Sequence, residues 1–144
     1  MEPQLVLATT EEIEAFIQAF EDRTLPKVRW HHHAHLVVGL WYLSHNSSED
    51  ALSIIRQRIR AYNEVVGPPN TDTSGYHETL TRFFLRGIRA HIAAYPAKPL
   101  HESLSTLLQS PIASKEWPLT AYSRERLFSV SARRGWLESD LDPK

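Results

Sequence analysis

The chain has 144 residues, of which 42% are hydrophobic and 23% charged, and its formal net charge is -1. Such values fit one globular domain and argue against disorder and against a membrane protein. With no basic excess to neutralise a phosphate backbone, they also argue against general nucleic-acid binding.

The absence of cysteine removes thiolate catalysis, disulfides and cysteine-ligated metal sites, leaving His, Asp and Glu as the strong metal ligands. The opening Met1 to Leu5 has neither the basic region nor the apolar core of a leader, and the expectation is a cytoplasmic protein.

The first helix is predicted to start at Thr9-Thr10-Glu11-Glu12, a capping box in which Thr9 caps and Glu12 closes the S/T-x-x-E pattern. Ile13, Phe16, Ile17 and Phe20 recur at helical spacing and form its buried face, ending near Asp22. Glu21 lies at the edge of that face and reads as a solvated flank.

Trp30 to Leu43 follows, with His31, His32, His33 and His35 at the mouth of an otherwise apolar helix that runs to about Asn46. At about 100° per residue, His32, His35 and Gly39 fall on one strip, so two imidazoles stand above a small residue that leaves room beneath them.

Ser47 or Ser48 caps the third helix, with Leu52, Ile55, Ile59 and Val66 as its apolar stripe and Arg56, Arg58 and Arg60 facing outward. Asn63 projects from the apolar face, and a buried amide must find hydrogen bonds, either from neighbours or from a bound ligand or metal-bound water. Gly67 to Gly75 combines prolines, glycines and short polar side chains and is expected to be a surface loop covering the site.

The fourth helix opens at Tyr76-His77-Glu78 and reaches about Tyr95, before Pro96. His77, Thr81, Phe84, Ile88 and His91 share one arc, and Arg82, Arg86 and Arg89 lie opposite. Glu78 falls off the arc and reads as a surface salt bridge to Arg82, four residues on.

Leu100 to Leu108 reads as a short fifth helix, followed by an irregular stretch through Trp117-Pro118. A last helix is expected from Ser123 to Arg134, with Gly135 as stop and Trp136 as packing anchor, and the tail from Glu138 is expected to fray. The expected class is all-α, a single compact bundle of five to six helices spanning residues 1–144.

In an up-down bundle the second and fourth helices run parallel, so the polar starts of both meet at one end. Three neutral imidazoles with an open position suit Zn(II) or Fe(II). His32, His35 and His77 are therefore the candidate metal ligands, with His31 competing for a place. Glu78, Thr81 and Asn63 are the candidate catalytic groups of a mononuclear metal enzyme or metal-binding protein acting on a small molecule. Neither H-E-x-x-H nor a repeated E-x-x-H occurs, which disfavours zincin and di-iron chemistry. Two alternatives use the same residues, packed, hydrogen-bonded structural histidines or a metal-free small-molecule pocket walled by Trp30, Trp41 and Tyr76, and the alternative class is a non-enzymatic ligand-binding or protein-interaction domain.

Over nearly its whole length the chain resembles a family of small, mostly bacterial helical proteins. The likeness rests on W-x-H-x-x-H-L at Trp30 to Leu36, Tyr62-Asn63, N-T-x-x-x-G-Y-H-E-T-x-T at Asn70 to Thr81, and Y-S-R-E-R-L-F-S-x-x-A-R-x-x-W at Tyr122 to Trp136. The resemblance raises His32, His35, Asn63, His77, Glu78 and Thr81 as motif residues and implies no activity.

Overall fold

A computed structural model describes residues 7–95 and 99–141. The readings of Met1 to Leu5, of Pro96 as a helix stop and of the final Asp142 to Lys144 lie outside the described residues. Among the described residues the fold is all-α, with seven α-helices and three single 3₁₀ turns.

Helix α1 spans Thr10–Glu21, and the Thr9 hydroxyl accepts from the Glu12 amide at 3.1 Å. Its buried residues are Ile13, Phe16, Ile17 and Phe20, the face that the spacing predicts. Helix α2, His32–His45, buries Ala34, Leu36, Val37, Val38, Gly39, Leu40, Tyr42 and Leu43. A helix apolar on every side has no solvent face, and α2 accordingly runs through the middle, packed against α1, α3, α4 and a fifth helix. Each fully buried Leu or Val side chain along it is worth roughly 1.5–3 kcal/mol of transfer free energy.

Helix α3, Ser48–Val66, is capped by Ser47, whose hydroxyl accepts from Asp50 N, and α4 spans Glu78–Ala94 with His77 as its N-cap. Helix α5 is Leu100–Leu108. The expected last helix is two helices, α6 over Arg124–Leu127 and α7 over Val130–Arg134. The break has a local cause: Ser129 adopts extended backbone and caps α7 by accepting from Ala132 N. Bending there points Leu127 and Ala132 inward while Phe128 and Val130 stay exposed.

The segment after Gly135 does not fray up to Leu141. Tyr122 Oη donates to Leu137 O at 2.6 Å, Leu141 N donates to Ala121 O at 2.9 Å, and Asp140 accepts from both the amide and the hydroxyl of Ser123. Thr79 ties α4 to the same segment, donating to Gly135 O at 2.7 Å and accepting from Leu137 N at 3.1 Å.

Two pairs fix how α2 lies against α4. The rings of His32 and Phe84 stand 4.8 Å apart, and a Cβ on Gly39 would meet Ile88 Cδ1 at 2.7 Å. Both numbers rise together, so the two helices run in the same direction. Gly39 is the small residue that admits α4 here; the space beside it is taken by Ile88 and Leu85 rather than left open.

Candidate functional site

Between α2, α3 and α4 lies a partly enclosed cavity of ≈ 420 Å³. Its apolar lining comes from Leu36 and Gly39 of α2, Ile55 and Ile59 of α3, and Leu80, Phe84, Leu85 and Ile88 of α4. Its polar lining is His31, His32, His35, Asn63, His77, Thr81 and Lys115. Trp30, Pro68, Gly75 and Tyr76 complete the wall, so the 67–75 loop covers it. Trp41 is not part of it and instead packs its ring 4.3 Å from that of His45.

His35 is the most telling group. Its ring stacks on Trp30 with centroids 4.0 Å apart, and neither ring nitrogen has a hydrogen-bond partner among the described residues. The residue is exposed by surface area and yet sits deep in the protein, so what it faces is the cavity. Burial, reinforced by neighbouring His32 and His31, pushes its pKa down to about 3. At neutral pH it presents one donor nitrogen and one acceptor nitrogen to the cavity.

His77 is differently placed. Its Nδ1 accepts from Leu80 N at 3.1 Å as the cap of α4, and its Nε2 donates to Leu127 O at 2.8 Å. These bonds fix the tautomer and use both nitrogens. Burial lowers its pKa and the charge of Arg133 lowers it further, against the opposing pull of the Leu127 carbonyl. His32 donates from Nε2 to Ile112 O at 3.3 Å.

The predicted three-imidazole set thus lines one cavity, but its members stand at different levels. His32 lies against Phe84, and His77 is one α4 segment earlier, about 10 Å along a helix axis for that separation. Among the described residues no three His, Asp or Glu side chains are grouped so as to hold a metal ion.

Asn63 is 4% exposed and reaches the cavity from the last turn of α3. Its Nδ2 donates to Asn70 Oδ1 at 3.0 Å, while its own Oδ1 is buried with no partner among the described residues. Thr81 lines the cavity one turn below His77.

Glu78 stands behind the wall instead. It is 7% exposed, so it is not the surface residue that its wheel position suggests. Arg56 grips it with two bonds, Nε to Oε1 at 2.9 Å and Nη2 to Oε2 at 2.6 Å, and Tyr76 Oη donates to Oε1 at 2.7 Å. The expected partner Arg82 is a distant third at 3.9 Å. Burial pushes the Glu78 carboxyl up, but the bonds from Arg56 and Tyr76 and the charges of Arg56 and Arg82 outweigh it and hold the pKa below the carboxylate range. Arg56 and Arg58 keep partly exposed side chains, as expected, yet both are ion-paired: Arg56 reaches Glu78, and Arg58 pairs with Glu21 beside the Tyr42 hydroxyl. Glu21 is an ion-paired residue, not a solvated flank.

Asn70, Ile112 and Lys115 were not signalled by helical spacing, because they sit in loops and 3₁₀ turns where no period applies. Asn70 had one visible signal, its place in a run of turn residues that must satisfy backbone groups. Set against protein-family models, curated proteins and solved structures, the chain matches none of them. Among the described residues no helix is long and apolar enough to cross a membrane.

Proposed function

We propose that this chain binds a small organic molecule in the cavity between α2, α3 and α4, and that His35 is the group that meets it. One observation carries this reading: a neutral imidazole with neither nitrogen partnered among the described residues lines a largely apolar, partly enclosed cavity. A ring able to donate and accept, left without a protein partner at the wall of a cavity, has room for a ligand to supply one. The size falls in the range of small-molecule pockets. The Cys-free composition and the lack of a basic excess suit a cytoplasmic protein with a small-molecule partner rather than nucleic acid.

The second reading is a mononuclear metal centre on His32, His35 and His77, acting on the same class of molecule with Asn63 and Thr81 alongside and Glu78 behind. The unprotonated state of His35 favours it, since a ligand imidazole must be neutral. This reading requires His77 to release either Leu80 or Leu127, each bond worth about 1 kcal/mol net.

Imidazole nitrogen resonances distinguish the two. On the first reading a fragment that saturates the cavity shifts the His35 ring nitrogens in metal-free protein, and an Ile59→Phe variant that fills the space loses the response. On the second, zinc added alone shifts His32, His35 and His77 together and disturbs the Leu80 amide. Fragments that leave His35 unmoved, with zinc equally silent, would discard both.

A further inference from the structure

We propose that the occupant of the cavity is a largely apolar molecule that carries a hydrogen-bond donor, an N–H or O–H, and that the side-chain carbonyl of Asn63 receives it. The inference rests on the ligand-site reading and specifies the chemistry of the ligand.

The orientation of Asn63 is set by a chain of bonds that begins on a backbone group with only one role. The Arg60 carbonyl can only accept, and it takes Asn70 Nδ2 at 3.0 Å. Asn70 must therefore present Oδ1 on its other side, where it accepts from the Tyr76 amide at 3.0 Å and from Asn63 Nδ2 at 3.0 Å. Turning the Asn63 amide over would set two carbonyl oxygens against each other. The assignment is thus dictated by the network rather than chosen.

What remains is Asn63 Oδ1, a buried acceptor without a donor among the described residues, on a residue that is 4% exposed and lines the cavity. A carbonyl held this way by its own fold answers only to a donor. His35 adds a second polar contact in the same space, offering one lone pair and one N–H. His77, by contrast, is committed to Leu80 and Leu127. Leu36, Ile55, Ile59, Leu85 and Ile88 make much of the remaining wall apolar. A ligand matched to it buries hydrocarbon and spends one X–H on Asn63. An analogue of equal shape without that hydrogen leaves the carbonyl orphaned and sets an oxygen lone pair against it.

Indole and benzofuran differ in this one respect, N–H against ring oxygen. The experiment is calorimetric titration of the full chain with each probe, with the Asn63 side-chain carbonyl carbon followed by NMR in the unaltered protein. The expected result is at least about tenfold tighter binding of indole, a shift of the Asn63 carbonyl with indole alone, and a preference reduced to within twofold in Asn63→Leu. The NMR arm needs no variant and stands even if Asn63→Leu fails to fold. Equal affinities with an unmoved Asn63 carbonyl would overturn the donor requirement and leave the cavity a ligand site. Failure of both probes to bind would overturn the ligand-site reading with it.

Discussion

His77 and Leu127, fifty positions apart in sequence, are joined by a 2.8 Å bond from the imidazole Nε2 to the backbone carbonyl, which fastens the first turn of α4 to the end of α6. The same ring caps α4 through Nδ1. Replacing His77 by Ala should therefore cost two buried bonds, about 1–3 kcal/mol of unfolding free energy in urea titration. Asn at this position can cap but is too short to reach Leu127, and it should recover about half the loss. Full stability of His77→Ala would mean that the α4–α6 junction is held by its apolar contacts alone.

Acid should unfold the protein earlier than its carboxylates require. Burial lowers the pKa of His35, His77 and His91 in the fold. An imidazole lowered in this way stays neutral when folded while the unfolded chain takes up a proton, so its contribution is complete above the unfolded value near 6.5 and is lost as pH falls toward the folded one. For His35 the window runs from about 6.5 down to about 3. Melting temperature should decline from pH 7 to pH 4, and His35→Leu should flatten that decline. An unchanged slope in His35→Leu would show that this ring is solvated as well in the fold as out of it.

Charge removal at Glu78 tests the ion pair behind the cavity wall. Glu78→Gln keeps the shape but weakens both bonds from Arg56 and the one from Tyr76. A loss of about 1–3 kcal/mol is expected, at the lower end because Arg56 is itself 40% exposed and can turn to water. Combining it with Arg56→Met should cost less than the two single losses added together, as unfolding of the four proteins in a double-mutant cycle will show.

The elements that were legible in the sequence are those governed by local rules. Thr9 and Ser47 cap because a short hydroxyl side chain precedes an acidic first turn, and the α1 face follows from spacing alone. The wheel likewise brought His32, His35, Asn63 and Thr81 to one cavity. What it does not carry is the axial slide of one helix on another. That depends on which side chains interlock, here Ile88 and Leu85 against Gly39, and it decides that His32 meets Phe84 instead of His77. Nor does spacing tell a near partner from a better distant one: Glu78 has Arg82 four residues away, yet Arg56 arrives from another helix with two bonds.

Gly39→Ala should separate ligand binding from stability. The added methyl would stand 2.7 Å from Ile88 Cδ1 and 3.1 Å from Leu85 Cδ2, both ends of flexible side chains that also line the cavity. They can give way by moving into that space, so the expected cost is modest, about 1 kcal/mol or a little more. Binding of a cavity probe such as indole should fall far more steeply than the melting temperature. Undiminished binding in Gly39→Ala would place the probe elsewhere.

The covering loop is predicted to depend on its outer anchor. Arg134 makes two 2.8 Å bonds to Asp72, and Arg133 donates to Gly75 O at 3.0 Å. The Arg134 pair is exposed, so Asp72→Ala should leave global unfolding unchanged. Cleavage by subtilisin between residues 67 and 75 should nevertheless become faster. Identical cleavage rates would show that the inner bonds of Asn70 to Arg60 O and Tyr76 N, and of the Ser74 hydroxyl to Pro69 O, suffice to hold the loop.

The 4.0 Å stack of Trp30 on His35 also means that the interior space carries its own fluorophore. An indole in contact with the cavity-facing imidazole senses changes in that ring's hydration and protonation through its excited state. Its emission should therefore respond when a non-fluorescent molecule enters. With Trp41, Trp117 and Trp136 replaced by Phe, a single native chromophore would report occupancy in real time, with no label attached.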